Sequence, residues 1–168
     1  MTVPRTLFSE EHHIFREAVR RFMEQEVAPH NAEWEAQGYV DRGVWRKAGE
    51  AGFLCPSMPE EYGGSGADKL YSMILMEEGA RVNATGPGWG LHSEIVAPYI
   101  LHYGTHEQKF RFLPKMASGE AIGAIAMTEP SAGSDLQGVR TSAVLDGDHY
   151  VLNGSKIFIT NGYLCDMA

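Results

Sequence analysis

The residues best suited to chemistry lie in one run, Ala126-Met127-Thr128-Glu129-Pro130-Ser131-Ala132-Gly133-Ser134-Asp135-Leu136-Gln137-Gly138. An apolar stretch there delivers a threonine and a glutamate into a loop of serine and glycine. Such a loop can turn successive backbone N–H groups toward one point and hold phosphate oxygens. Most loops of this composition are plain turns, so both readings stand on composition alone. Other constellations carry less. His12 and His13 are adjacent on a helical pattern and point apart, while His92, His102 and His106 have no cysteine or carboxylate at ligand spacing, so no metal is expected. Ser131 and Ser134 lie in no G-x-S-x-G elbow, which argues against a serine hydrolase. Glu77 and Glu78 invite an acid–base couple, but neighbouring helical positions face different directions, and solvated or structural carboxylates are the simpler reading. The segment Gly86-Pro87-Gly88-Trp89-Gly90 removes side-chain volume just before a helical pattern; a flexible loop explains it as well as a pocket wall does.

These residues need elements to position them. Ser9 precedes a run in which Ile14, Ala18 and Phe22, beside Phe15, Val19 and Met23, recur at three- and four-residue spacing, which predicts an amphipathic helix ended by Pro29. A short helix follows from Asp41, with Val44, Trp45 and Ala48 on one side and Gly52 as its stop. Pro56 to Gly66 reads as a loop. KLYSMILMEEGAR, 69–81, reads as a buried helix with a polar end, and Leu91 to Tyr103 as another that Pro98 kinks or divides. THEQKFRF opens a further helix running into Pro114. After Glu120 the texture changes: AIGAIAMT is continuously apolar, VRTSAVL alternates, and HYVLNGSKIFIT places Asn153-Gly154 between two strand-like runs, a hairpin signal, with Asp146-Gly147 marking the preceding turn. Helices followed by strands predict an α+β arrangement, with a helical domain over 1–119 and an incomplete β-domain over 120–168. So few strands leave an open edge and an uncovered apolar face, the expectation for a fragment or for a chain that a partner completes.

The run from Ala126 resembles the flavin-binding signature of the acyl-CoA dehydrogenases, in which Thr-Glu-Pro is followed by Ala-Gly-Ser-Asp. LNGSKIFITNG at 152–162 is similar to the family's second flavin strand, and PEEYGGSG at 59–66 to its early loop. IGAIAMTEP, LQGVRT and the flanking helices look most similar to the long-chain members, and the likeness covers essentially the whole chain.

The resemblance implies the acyl-CoA dehydrogenase fold: an amino-terminal helical bundle followed by the first antiparallel strands of a β-barrel-like middle domain. It implies FAD as cofactor, bound through Ile125, Met127, Thr128, Gly133, Ser134, Phe158, Ile159 and Thr160. Met127 and Thr128 would bring N–H and hydroxyl groups to the pyrimidine edge of the flavin, where negative charge gathers on reduction. Gly133 would permit close approach, and Ser134 would hold the pyrophosphate and lie near the acyl-CoA substrate. Phe158, Ile159 and Thr160 would pass behind the ring, with Thr160 bonding near N5; many members carry tryptophan where this chain has Phe158. The implied reaction is α,β-dehydrogenation of a fatty acyl-CoA thioester, with hydride passing to flavin N5. The family's catalytic base is a glutamate in a later helical region, and no residue of 1–168 matches it. The base is therefore expected downstream of Ala168, and no catalytic residue is assigned within the chain. The Gly86–Gly90 region would help shape a roomy acyl pocket. An electron-transferring flavoprotein is the implied acceptor and a homo-oligomer, a tetramer, the implied assembly. An acyl-CoA oxidase-like flavoenzyme and a non-catalytic fragment that only associates with a partner are the alternatives.

Bulk properties set the outer bounds. The 168 residues are 43% hydrophobic and 21% charged, an ordinary globular composition, with a net charge of −8. The densest basic group, Arg16, Arg20 and Arg21, shares its helix with Glu17, Glu24 and Glu26, so nucleic acid is not an expected partner. Cys55 and Cys165 form no CxxC, which suits a reduced, intracellular setting. The start, MTVPRTLFSEEHH, has no apolar core and is not acid-poor, and no stretch approaches membrane-spanning length, so a cytoplasmic protein without a targeting segment is expected.

Overall fold

A computed structural model describes residues 5–168; residues 1–4, part of the stretch read above for a targeting segment, lie outside the described residues. Helix α1 (Glu10–Phe22) starts where Ser9 caps it: the Ser9 hydroxyl accepts from the His12 N–H, and the His12 ring accepts from the Ser9 N–H, a capping box with histidine in the usual Glu/Gln place. Its buried face runs through His12 and Val19 and on to Met23 and Val27, whereas Ile14, assigned to the apolar stripe from spacing, is 63% exposed. Pro29 does not end the helical path. A π-helical turn (Met23–Val27) and a 3₁₀ turn (Ala28–His30) lead into α2 (Asn31–Gln37), and Pro29 sits in the first turn of a new piece, where a missing N–H leaves nothing unpaired. Helix α2, absent from the sequence reading, is held by the buried Trp34 and ends at Gly38.

Helix α3 (Arg42–Glu50) buries Val44, Trp45 and Ala48 as their spacing predicts. The loop 56–66 holds a 3₁₀ turn (Glu60–Tyr62) and buries Tyr62. Helix α4 (Lys69–Arg81) has the predicted span and is capped by Asp68, but it is buried on one face alone: Ser72, Ile74 and Glu78 are inside while Met73 and Met76 are exposed. The path from 89 to 103 is helical throughout, as α5 (Trp89–Leu91), a π-turn (His92–Val96) and α6 (Ala97–Tyr103). The wider turn lies just ahead of Pro98, which has no N–H to give. Helix α7 (His106–Ala117) opens on a Thr105–Gln108 capping box and continues through Pro114 instead of stopping there, because Leu113, Met116 and Ala117 are all buried and hold its last turn down.

The β-part is smaller than the periodicity predicts. Strands β1 (Ser142–Asp146) and β2 (His149–Asn153) pair antiparallel around Gly147, in the register Ser142↔Asn153 to Asp146↔His149, so the Asp146-Gly147 turn closes the hairpin. Asn153-Gly154 does not make a second hairpin; β2 ends there. AIGAIAMT and KIFIT, both read as strands, are extended or turning chain. The first touches other segments through isolated bridges, Gly123↔Met167 in the parallel sense and Glu129↔Ala132, and the second bends at Phe158 and Asn161, both at positive φ. A strand needs a continuous partner along its length, and among the described residues neither segment has one. The fold is therefore α+β: a helical amino-terminal region followed by a two-stranded antiparallel sheet.

Candidate functional site

The segments that carry the motifs are pinned to the helices before they reach the surface. His92 is fully buried; its Nδ1 accepts from Gly123 N–H at 3.0 Å and its Nε2 donates to the Met116 carbonyl at 3.1 Å, which fixes the tautomer. Burial lowers its pKa to about 4, so the ring is neutral here. Asp166 accepts from Ile122 N–H at 2.8 Å, and Arg42 reaches Asp166, the Glu120 carbonyl and the Leu164 carbonyl. The Asn161 amide donates to two carbonyls, Gly88 and Gly123, each at 3.1 Å. With Ile122 fully buried between these anchors, the chain leaves the helices in a fixed direction.

Beyond Ala126 the two motif segments lie side by side, because the Thr128 carbonyl accepts from Ile157 N–H at 3.0 Å. Glu129 is buried. Its carboxylate accepts from the backbone N–H groups of Arg140 at 2.8 Å and Thr141 at 2.9 Å, and pairs with Lys156 Nζ at 2.9 Å. The Thr141 hydroxyl lies beside the same carboxylate but outside hydrogen-bond geometry. Thr141, the Arg140 N–H and Lys156 together hold the Glu129 pKa down to about 2. This carboxylate is thus a clasp that closes the loop 130–140. On that loop Ser131, Gly133, Ser134 and Asp135 are exposed, and a methyl group at Gly133 would meet nothing within 4 Å.

The structure brings some of the sequence-predicted site residues together and leaves others apart. Thr128 stands beside Ile157, and Met127 beside Lys156. Thr160 lies in the turn against Gly88, where a Cβ would fall 2.8 Å from its methyl group. Phe158 is 89% exposed and Ile159 half-buried; both line a shallow hollow of about 380 Å³ with Ala126 and Lys156. Ile125 faces a different hollow, of about 500 Å³, with Tyr99, Ile100 and Met167. Ala168 lines both hollows. Gly133 and Ser134 line neither. The backbone N–H groups of Met127, Thr128, Gly133, Ser134 and Thr160 have no acceptor among the described residues. Donors left open on an exposed, glycine-relieved surface fit a ligand with carbonyl and phosphate oxygens, as FAD has. Three residues of this arrangement escaped the sequence reading: Glu129 as a clasp, Lys156 as its partner, and Asn161, for which the Asn-Gly pair at 161–162 was a signal of a left-handed turn.

A second feature belongs with these. Pro87, Trp89 and Gly90 form part of the wall of a cleft of about 410 Å³ between α4 and the π-turn, with Met23, Phe53, Leu75, Gly79 and Ala84 as apolar lining and Ser72 and Glu94 as polar members. Glu94 is tied to Ser72 at 2.7 Å and to Lys69 at 2.6 Å. Among the described residues there is no group of three or more metal-ligating side chains, and no helix is long and apolar enough to cross a membrane.

Known families account for almost all of this chain. Residues 9–120 match the acyl-CoA dehydrogenase N-terminal domain and residues 124–168 match the acyl-CoA dehydrogenase middle domain. The chain belongs to the acyl-CoA dehydrogenase family. It is 57% identical, over 98% of its own length and 38% of the relative's, to the mitochondrial long-chain specific acyl-CoA dehydrogenase of Mus musculus. An acyl-CoA dehydrogenase from Geobacillus kaustophilus superposes with a TM-score of 0.91 at 52% identity, over 98% of this chain and 43% of that one. One from Bacillus anthracis, solved in complex with FAD, superposes at 0.88 and 38% identity, over 98% of this chain and 29% of that one. The chain spans about two fifths of the length of the long-chain relatives it matches.

Proposed function

We propose that this chain supplies one face of the flavin site and part of the acyl pocket of an FAD-dependent acyl-CoA dehydrogenase for long-chain substrates. The observation that carries the reading is the bond from Ile157 N–H to the Thr128 carbonyl, because it sets the two flavin-type segments side by side while the N–H groups of Met127, Thr128 and Thr160 stay open. When bound, FAD supplies an acceptor for two electrons and the hydrogen that leaves the acyl β-carbon. The protein's part is electrostatic and positional. The N–H groups of Met127 and Thr128 would serve the pyrimidine edge, where donors fixed in advance stabilise charge that gathers on reduction. Gly133 and Ser134 would hold the pyrophosphate, Thr160 would donate to the flavin ring, and Phe158 would offer it an aromatic surface.

The cleft between α4 and the π-turn takes the acyl tail, since its lining is apolar and glycine at 79 and 90 widens it. Removing the α-proton needs a base whose pKa lies near the working pH. Arg20 and its neighbours lower the Glu78 pKa to about 2, Glu129 is held equally low, and at Glu77 the raising effect of burial is outweighed by Arg16 and Arg5, so its pKa too is lowered. None of the three is suited to the task, and the base is assigned to the later helical region of the full-length protein, downstream of Ala168. Electrons leave to an electron-transferring flavoprotein, and the working assembly is a homotetramer.

The test is to purify the full-length protein, measure FAD uptake by its visible absorption, and add a long-chain acyl-CoA. Bleaching that is reversed by an electron-transferring flavoprotein and not by oxygen is expected. A protein that takes up no FAD overturns the reading, and rapid reoxidation by oxygen replaces it with an oxidase.

A further inference from the structure

Lys156 is not among the residues that the flavin reading uses, yet its ammonium joins two members of the motif. It donates to the Met127 carbonyl at 3.1 Å and pairs with Glu129 at 2.9 Å, with most of its side chain covered. The peptide joining Met127 to Thr128 is planar and trans, so the Met127 carbonyl and the Thr128 N–H point in opposite directions. Whatever holds the carbonyl therefore aims the N–H. The next peptide has no such freedom, since its carbonyl is taken by Ile157 N–H and its N–H by the Ala132 carbonyl at 2.8 Å. The Thr128 N–H is left without an acceptor among the described residues, backed by a cation that polarises its own peptide and strengthens it. Glu129 keeps that cation in place, and it is itself fixed by the Arg140 and Thr141 N–H groups.

We propose that Lys156 is a positioning residue that aims and polarises the Thr128 N–H as a rigid donor to the pyrimidine edge of the flavin. The statement rests on the flavin reading above and adds to it the device that sets one donor's direction. It also explains why a buried carboxylate stands in the Thr-Glu-Pro motif without any part in proton transfer: Glu129 anchors the lysine.

The experiment uses the full-length protein as wild type, Lys156→Met and Lys156→Arg. Lys156→Met is expected to weaken FAD binding about tenfold, the equivalent of one charge-assisted hydrogen bond, to raise the carbonyl stretching frequency of the bound flavin, and to shift its potential. Lys156→Arg restores all three, which a merely structural role would not require. A second readout needs no flavin. Labelling methionine carbonyls with ¹³C and threonine nitrogens with ¹⁵N selects Met-Thr peptides, of which this chain has Met1-Thr2 and Met127-Thr128. In apoprotein the Thr128 amide resonance is expected to move in Lys156→Met and to stay near its wild-type position in Lys156→Arg. Should the methionine variant fail to fold, Lys156→Gln, which keeps a donor without the charge, is expected to show an intermediate shift. If wild-type protein takes up no FAD, the flavin reading fails and the amide resonance alone decides the role of Lys156. Unchanged flavin carbonyl frequencies in Lys156→Met, or an unmoved Thr128 amide, overturn the proposal.

Discussion

Gly88 has no room for a side chain: a Cβ there would fall 2.2 Å from Asn161 Oδ1 and 2.8 Å from Thr160 Cγ2. Gly88→Ala is expected to destabilise the protein by about 1–3 kcal/mol through overpacking, read by urea unfolding. Gly133→Ala, at a position with nothing within 4 Å, is expected to stay within about 0.5 kcal/mol and to weaken FAD binding instead. Equal losses at both positions would show that the Gly133 loop is packed in the protein. Thr160→Val removes a donor while keeping the volume, so a shifted flavin midpoint potential by spectroelectrochemistry is expected; an unmoved potential and turnover would leave Thr160 as a turn residue only. At this scale the sequence was legible where partners are close along the chain. The Thr-Glu-Pro run could be read because its members are neighbours. Lys156 and Asn161 could not, because the carbonyls they hold, on Met127 and Gly88, lie 29 and 73 residues away.

Between elements, the contact of α1 with α4 turns on Glu78. Its side chain is inside, and it accepts from Arg16 at 2.9 Å, Arg20 at 2.9 and 3.0 Å, and Arg81 at 3.1 Å. Arg16 and Arg20 are four residues apart and so share the face of α1 that meets α4. The hydrogen bonds from Arg20, then those from Arg16, lower the Glu78 pKa from 4.5 to about 2 against the cost of burial. A depressed carboxylate stabilises the fold fully above its unfolded pKa and ceases to do so as pH falls through the folded one, so this contribution fades between about 4.5 and about 2. Its size is about 3 kcal/mol. Glu78→Gln is expected to lose a comparable amount at pH 7 and to flatten that part of the stability profile in chemical denaturation; a variant as stable as wild type would show the cluster to be neutral. The helices were readable from caps and three-to-four spacing, and α1 and α7 begin where Ser9 and Thr105 say they do. The prolines misled at 29 and 114 because burial of Met23, Val27, Leu113 and Met116 outweighs a local stop signal. The strand readings around Ala121–Thr128 and Lys156–Thr160 failed because apolar alternation reports a surface to be covered, and not whether a neighbour runs alongside it.

For the whole molecule, the joint between helices and motif segments runs through His92. Its pKa is lowered by burial to about 4, against 6.5 for an exposed ring, so below about pH 6.5 the unfolded chain takes up a proton that the folded one refuses. Stability is expected to fall by about 2 kcal/mol between pH 7 and pH 5 by urea titration, and His92→Gln, with no proton to gain, is expected to lack that slope. An equal slope in both would place the acid sensitivity elsewhere. The hairpin is the other large-scale feature: Val144, Leu145, Tyr150, Val151 and Leu152 are all exposed, on both faces of β1 and β2. Residues 1–168 expressed alone are expected to self-associate as concentration rises, measured by light scattering on a sizing column, and Leu145→Lys with Leu152→Lys to relieve it; association unaffected by those changes would point to another surface. Asn161 carries a consequence of a different kind. One amide spans the carbonyls of Gly88, beside the cleft walled by Pro87 and Trp89, and Gly123, beside the motif segments. A residue inserted or deleted between Ala84 and Gly90 would carry the Gly88 carbonyl out of its reach, so the cleft wall can change its width by substitution, while a change in its loop length would also release the chain at Gly123.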